Sequence, residues 1–176
     1  MKGFTFIEVM VAVLLMGIVL FGGTAIFYQN LRSTGLSDID LNLNTTLRAV
    51  LSSMENDMRF SKVLSVGVGT RTDCLLAGDT GYSGSTVTVE DLIGLETVYS
   101  LNDGRIASVA SQTSREELMT PENISIDQLN FTWYCRGNMS DKIKIEIGAS
   151  STVLGSGIEV TKSVSRELNL LNSGIN

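Results

Sequence analysis

Glu8 is the residue whose chemistry is least expected from its surroundings. It is the single charged side chain between Phe4 and Phe27, in a stretch that is otherwise almost wholly apolar. A carboxylate inside a membrane-spanning helix costs about 2.5–3.5 kcal/mol, so such residues are usually paired and functional. We therefore expect Glu8 to meet a cation from outside its own segment. The alternative is a place at the membrane surface, because only seven residues precede it.

The two cysteines, Cys74 and Cys135, are 61 residues apart. This spacing fits neither a redox Cys-x-x-Cys pair nor a zinc site, which needs four ligands. In a domain outside the cytoplasm, the natural use of two such thiols is a disulfide. Two buried free thiols are the alternative. On the ground of compartment we predict the disulfide.

The sequence shows no recognisable catalytic machinery. It contains no histidine, which removes the most frequent general base and the most frequent metal ligand. It has no P-loop, no dinucleotide-binding glycine motif, no GxSxG elbow and no HExxH motif. We therefore predict a protein that is not an enzyme, with no catalytic residues, no metal site and no cofactor.

Charge restricts the partners. Thirteen basic and nineteen acidic residues give a net charge of −6 without a basic run, which argues against nucleic acid as the main partner. Four carboxylates near glycine-rich loops raise the question of calcium, but they do not have EF-hand spacing. They are Asp73, Asp79, Glu90 and Asp91. Solvated surface charge is the preferred interpretation of these four residues.

The element that must position Glu8 is a long N-terminal helix. Residues 9–27 carry no charge, and the 24 residues that begin at Phe4 would extend about 36 Å as a helix, enough to cross a hydrocarbon core of about 30 Å. We therefore predict a membrane-spanning helix over residues 4–28. The alternative is a secretory signal with Lys2 as its basic region and cleavage after Ala25, but a glutamate at the head of the apolar run fits that pattern poorly.

A second segment, residues 29–66, is predicted to be an amphipathic helix that packs on a sheet. Its apolar residues recur at steps of three and four, which is helical periodicity. These residues are Leu36, Ile39, Leu43, Leu47, Val50, Leu51, Met54 and Met58.

Residues 67–176 are predicted to form a β-rich globular domain. Glycine-rich turns alternate with short runs of strand pattern, and Asn102-Asp103-Gly104 is typical of a tight hairpin. The strands are expected at 74–76, 86–90, 96–101, 105–110, 125–135, 142–147 and 158–170. Phe131 and Trp133 fall on one face of their strand and are expected in the core. The predicted fold class is α+β, with a long N-terminal helix packed on an antiparallel sheet.

The N-terminus resembles the prepilin peptidase signal of type IV pilins and type II secretion pseudopilins. The resemblance lies in Lys2-Gly3-Phe4-Thr5-Phe6-Ile7-Glu8-Val9 and in the apolar run that follows. It implies cleavage between Gly3 and Phe4, so that residues 1–3 are a leader with the basic Lys2, and methylation of the new Phe4 amine. It also implies that Glu8 meets the Phe4 amine of a neighbouring subunit during assembly, which agrees with the cost of two lone charges in hydrocarbon.

The resemblance further implies partners and a location. The partners are other pilin or pseudopilin subunits, prepilin peptidase and an inner-membrane assembly platform. The location is the cytoplasmic (inner) membrane, with a single pass and the C-terminal domain outside the cytoplasm, and then a cell-surface or periplasmic filament. The chain lacks the proline that kinks many pilin helices, which would fall near Ala25.

Within this family the chain is most similar to J-type minor pseudopilins and W-type minor pilins. The similarity lies in the helix end Met54-Glu55-Asn56-Asp57-Met58-Arg59 and in the hairpin and strands that follow. The expected function is therefore that of a minor pilin or pseudopilin, a structural subunit of a type IV pilus or a type II secretion pseudopilus. The alternatives are a major pilin and a membrane-anchored adhesive or binding module that does not polymerise.

Overall fold

The structure, a computed structural model, describes residues 5–137, 140–152 and 157–173. The described residues form two α-helices, α1 (Phe6–Arg59) and α2 (Arg71–Ala77), and a short 3₁₀ helix (Gly78–Thr80). They also form ten strands: β1 (Lys62–Val66), β2 (Gly69–Thr70), β3 (Tyr82–Gly84), β4 (Val87–Glu90), β5 (Glu96–Asn102), β6 (Arg105–Ala110), β7 (Glu116–Leu118), β8 (Ser125–Tyr134), β9 (Lys142–Thr152) and β10 (Glu159–Asn169).

The helix α1 is continuous over 54 residues. Helical structure persists through Gly22, Gly23 and Gly35. By its internal contacts the chain divides into two compact units, Met1–Asp38 and Ile39–Asn176. The second unit contains the last 21 residues of α1, from Ile39 to Arg59, together with α2 and every described strand.

The apolar stripe of α1 packs into the core of the second unit, as its periodicity predicts. Leu43, Leu47, Met54 and Met58 are wholly inaccessible to solvent. The residues between them that point outward, such as Arg48, are exposed. The hydrophobic effect therefore fixes which side of this helix faces the strands.

The strands form two antiparallel sheets within the described part of the chain. One sheet has the order β2-β1-β4-β5-β6-β7 and the other has the order β10-β9-β8-β3. Inward-facing residues of both sheets join the α1 stripe in one hydrophobic cluster, which contains Phe131 and Trp133 as predicted. This arrangement confirms the α+β fold class.

The predicted hairpin is present between β5 and β6. Asn102 pairs with Arg105 at the end of the ladder. Asp103 and Gly104 both have positive φ, 46° and 70°. The two-residue hairpin turn that matches the twist of the strands needs positive φ at both central residues. This requirement explains the Asp-Gly pair.

Two predictions about secondary structure are wrong. The amphipathic helix was expected to reach residue 66, but it ends at Arg59, and Lys62–Val66 is β1. The Ser61 hydroxyl donates to the Asp57 carbonyl, which satisfies one of the last carbonyls of the helix, and β1 then pairs with β4. Residues 74–76 were expected to be a strand, but they belong to α2.

The C-terminal segment closes over the end of α1. The Leu171 amide donates to the Arg59 carbonyl at 2.9 Å, and the Asn172 side-chain amide donates to the Phe60 carbonyl. Just before them, Leu168 and Leu170 are buried in the core. The end of the helix is thus fixed by the last described residues of the chain.

A tyrosine links α1 to the larger sheet. Tyr99 on β5 is almost wholly buried, and its hydroxyl donates to the Asp57 carboxylate at 2.8 Å. Burial, and then the hydrogen bond to Asp57, raise the pKa of Tyr99 far above its usual value of 10.0.

The variant Tyr99→Phe should lower the free energy of unfolding by about 1.5 kcal/mol at neutral pH, the lower end of the range for a hydrogen bond to a charged group. Above pH 10 the phenol ionises in the unfolded chain but stays protonated in the folded domain, so the parent loses stability as the pH rises. The variant lacks this loss. At pH 11 the parent should have lost about 1.4 kcal/mol, so the difference between the two proteins should be close to zero there. Denaturant unfolding at pH 7 and pH 11 measures it, and a difference independent of pH would contradict this assignment.

Candidate assembly helix and the disulfide-linked domain

Glu8 lies in the first turn of α1, two residues after its first residue, Phe6. Its amide donates to the Thr5 carbonyl at 3.1 Å, and its side chain is exposed. A carboxylate at this end of a helix is favoured by the helix dipole, by about 0.3–1 kcal/mol. Among the side chains that the structure describes, no cation forms an ion pair with Glu8.

The segment around Glu8 exposes its apolar side chains on all sides. The large apolar residues from Phe6 to Tyr28 have exposed fractions between 50% at Val9 and 84% at Phe21. Among the described residues, α1 is the helix that is long and apolar enough to cross a membrane by length and composition. Burial of such surface is worth about 25 cal/mol per Å², so its burial in lipid or against neighbouring helices would be favourable.

The one hydroxyl in the middle of this apolar segment is satisfied within the helix. Thr24 Oγ1 donates to the Leu20 and Phe21 carbonyls, each at 3.0 Å. Internal pairing of this kind is what a helix surrounded by hydrocarbon requires, since no water is present to bind the hydroxyl.

The predicted processing residues Lys2, Gly3 and Phe4 lie outside the described residues. Cleavage between Gly3 and Phe4, methylation of Phe4 and the contact of its amine with Glu8 therefore stay predictions.

Cys74 and Cys135 form a disulfide with their Cα atoms 5.7 Å apart. Cys74 is in α2 and Cys135 follows the last residue of β8, and both are buried. The bond therefore joins the short helix to the end of a central strand of the smaller sheet. This is the pairing that the sequence predicts.

A buried carboxylate lies near the disulfide and holds α2 at a second point. Asp141 is wholly inaccessible to solvent, and its Oδ2 atom is 2.6 Å from the Arg71 guanidinium. The same oxygen accepts hydrogen bonds from Trp133 Nε1 at 3.2 Å and from Ser173 Oγ at 2.7 Å. A buried charge is tolerated only when it is paired and hydrogen-bonded, and Asp141 meets this condition through one oxygen.

Sequence reasoning missed both α2 and this cluster, although one signal for the helix was present. Thr70 and Asp73 have the spacing of a capping box, in which the acid three residues on accepts from the N-cap amide. In the structure Asp73 Oδ2 accepts from the Thr70 amide at 2.8 Å and from its hydroxyl at 2.9 Å. These bonds lower the pKa of Asp73, because they favour its charged form. No comparable local signal marked Asp141.

Two of the four carboxylates considered for calcium, Asp73 and Asp91, accept hydrogen bonds from nearby backbone amides. The Asp91 carboxylate accepts from the amides of Ile93 and Leu95 in the turn between β4 and β5. Asp79 is 3.8 Å from Arg136 and almost fully exposed. The described ranges contain no group of three or more His, Cys, Asp or Glu that could hold a metal ion.

Comparison with known proteins identifies the N-terminus. Residues 1–24 match the family model described as "Prokaryotic N-terminal methylation motif". No curated protein matches the chain, and no solved structure does.

The chain thus carries the type IV pilin-like signal at the end where Glu8 and the exposed apolar helix lie. The motif indicates a precursor of the type IV pilin or pseudopilin kind, a class of structural proteins processed by prepilin peptidase. The apolar helix and the motif are together consistent with a membrane-anchored protein of a surface or periplasmic filament.

Proposed function

We propose that this chain is a minor pilin or pseudopilin, a structural subunit that enters a type IV pilus or a type II secretion pseudopilus through its N-terminal helix. Prepilin peptidase cleaves it between Gly3 and Phe4, and the new Phe4 amine is methylated. Before assembly the mature subunit is anchored in the inner membrane, with a single pass and its β-rich domain outside the cytoplasm. The assembly platform then transfers it into the filament.

The observation that carries this proposal is the exposed apolar run of α1 with Glu8 in its first turn. An apolar helix alone would serve as a simple anchor, but a carboxylate near its N-terminus is a costly addition to an anchor. The cost is lower when each Glu8 meets the Phe4 amine of a neighbour, because the attraction between the two charges offsets part of their desolvation in hydrocarbon. The motif over residues 1–24 supports the same interpretation, since it is the signal that creates such an amine.

The second unit supports a location outside the cytoplasm. A disulfide between Cys74 and Cys135 persists where the surroundings are oxidising. The placement as a minor subunit of the J or W type depends on the succession of helix end, hairpin and strands in the sequence. An adhesive module that never polymerises would use the same anchor but would have no need of Glu8.

Mass spectrometry of the mature N-terminus tests the proposal. The protein purified from its own membranes should begin with methylated Phe4. The variant Gly3→Leu, which places a large side chain at the cleavage position, should retain Met1 or Lys2 and stay unmethylated. A parent protein that retains its first three residues, or that begins after Ala25, would contradict the proposal.

A further inference from the structure

The edges of the two sheets differ greatly in length. Among the described residues, three edge strands are very short: β2 has two residues, and β3 and β7 have three each. The fourth edge strand, β10, has eleven residues and pairs with β9 along one side only. Short edges are a common protection against unwanted pairing, whereas a long open edge presents a row of N–H and C=O groups to another strand.

A groove follows the outer side of β10. Its first part has a volume of about 400 Å³ and is lined by Arg48, Leu51 and Glu55 of α1 and by Val164 and Arg166 of β10, among others. Its second part, of about 290 Å³, continues from Glu55 along the end of β10. Neither part is lined by described residues of β9, so the groove opens on the unpaired side of β10.

The groove is basic although the chain is acidic. Glu55 Oε1 is 2.5 Å from Arg59 and Glu55 Oε2 is 3.0 Å from Arg166, so one largely buried carboxylate orients two guanidinium groups. Both arginines remain more than half exposed. A third arginine, Arg48, donates to the Asn44 side chain and has no carboxylate partner among the described residues. Glu167 also lines the second part of the groove, so three positive charges less two negative leave a local charge of +1, on a chain of net charge −6.

The charges of the groove determine which kind of strand can bind beside β10. Cations beside an open edge repel basic strands and favour acidic ones, and arginine binds carboxylates through two parallel hydrogen bonds. Leu51 and Val164 offer apolar contact between the arginines. The groove therefore suits an extended segment in which acidic and apolar residues alternate.

We propose that this groove binds an extended acidic segment of a neighbouring filament subunit, which adds to β10 as a fifth strand of the smaller sheet. Its main chain pairs with the free edge of β10, and its carboxylates meet Arg48 and Arg166. The identity of the partner as a filament subunit rests on the proposed function. A contact between different surfaces of successive subunits is the kind that propagates along a helical filament.

Peptide binding to the full-length protein in detergent micelles tests the inference. The probe is a labelled peptide, acetyl-Val-Glu-Val-Glu-Val-Glu-amide, followed by fluorescence anisotropy. It should bind at least tenfold more tightly than the counterpart with lysine in place of glutamate, and its affinity should fall as salt rises. A version with alternate backbone amides methylated on one edge should lose binding, because it cannot pair with β10.

Variants locate the site. Arg48→Glu and Arg166→Glu should each weaken peptide binding about tenfold or more. Arg48→Glu carries little risk to folding, since that side chain is exposed and contacts only Asn44 among the described polar groups. The matched control is Arg136→Glu, an exposed arginine outside the groove, which should bind as the parent does.

Several results would overturn the inference. They are equal affinity for the glutamate and lysine peptides, unchanged binding by both groove variants, and no binding of the glutamate peptide at millimolar concentration. Tighter binding of a single-stranded oligonucleotide that both variants abolish would assign the groove to nucleic acid instead. The assay needs neither cleavage nor filaments, so its failure is separate from a failure of the N-terminal mass measurement.

Discussion

Replacing Glu8 with glutamine should leave cleavage before Phe4 largely intact and lower the incorporation of the subunit into filaments at least tenfold. Glutamine keeps the shape of the side chain and removes its charge. In the filament the Phe4 amine of a neighbour would then lie in hydrocarbon without a counter-charge. Loss of one partner of a buried ion pair costs about 3–5 kcal/mol, and about 1.4 kcal/mol already corresponds to tenfold in an equilibrium constant.

The measurement compares two fractions from the same cells. Mass spectrometry of the membrane fraction reports cleavage and methylation at Phe4, and immunoblotting of sheared filaments reports incorporation. Asp79→Asn is the matched control, because it also removes one acidic charge but at an almost fully exposed position in the second unit. If Glu8→Gln enters filaments as well as the parent does, the pairing of Glu8 with a neighbour's amine is wrong and the non-polymerising module gains support.

Removing the disulfide should lower the stability of the domain by about 4 kcal/mol. The bond closes a loop between residues 61 positions apart, and the chain-entropy relation gives this value for a loop of such length. The variant is Cys74→Ala with Cys135→Ala, since alanine leaves no unpaired polar group at two buried positions. For a domain of this size the melting temperature should fall by roughly 10–15 °C.

A reductant provides the control for this prediction. Dithiothreitol should lower the melting temperature of the parent toward that of the double-alanine variant and leave the variant itself unchanged. If the parent melts at the same temperature with and without reductant, and the variant melts with it, the disulfide does not stabilise the domain.

The elements that could be predicted from the sequence are those that leave a local pattern of residue types. Ile143, Ile145 and Ile147 alternate with charged residues and are buried along β9 as expected. The steps of three and four on α1 gave the buried stripe for the same reason: a regular element meets one core with one face. The Asp103-Gly104 turn was predictable because its backbone geometry admits few residue types.

The parts that were missed depend on residues far away in the chain. The segment Lys62–Val66 became a strand because β4 lies beside it, although it follows a helix directly. Asp141 stands between Ser140 and Lys142 like an ordinary surface residue, and its burial depends on Arg71, 70 positions away. Pairings over such distances leave no periodic trace in the sequence.

The candidate site likewise has one part that the sequence predicted and one part that it did not. Glu8 could be singled out because a carboxylate in an apolar run is unusual in itself. Its predicted partner belongs to another molecule, so neither the sequence nor the structure of one chain contains the pair. The basic groove beside β10 was not predicted, because Arg48, Arg59 and Arg166 come together only when α1 and β10 pack.

The closure of α1 by residues 168–173 has a consequence for the order of events during synthesis. A ribosome makes α1 well before residues 168–173, whose leucines and hydrogen bonds cover the end of the helix. The apolar stripe of α1 therefore stays partly uncovered until residues 168–173 have emerged. During that interval the exposed stripe is prone to aggregation.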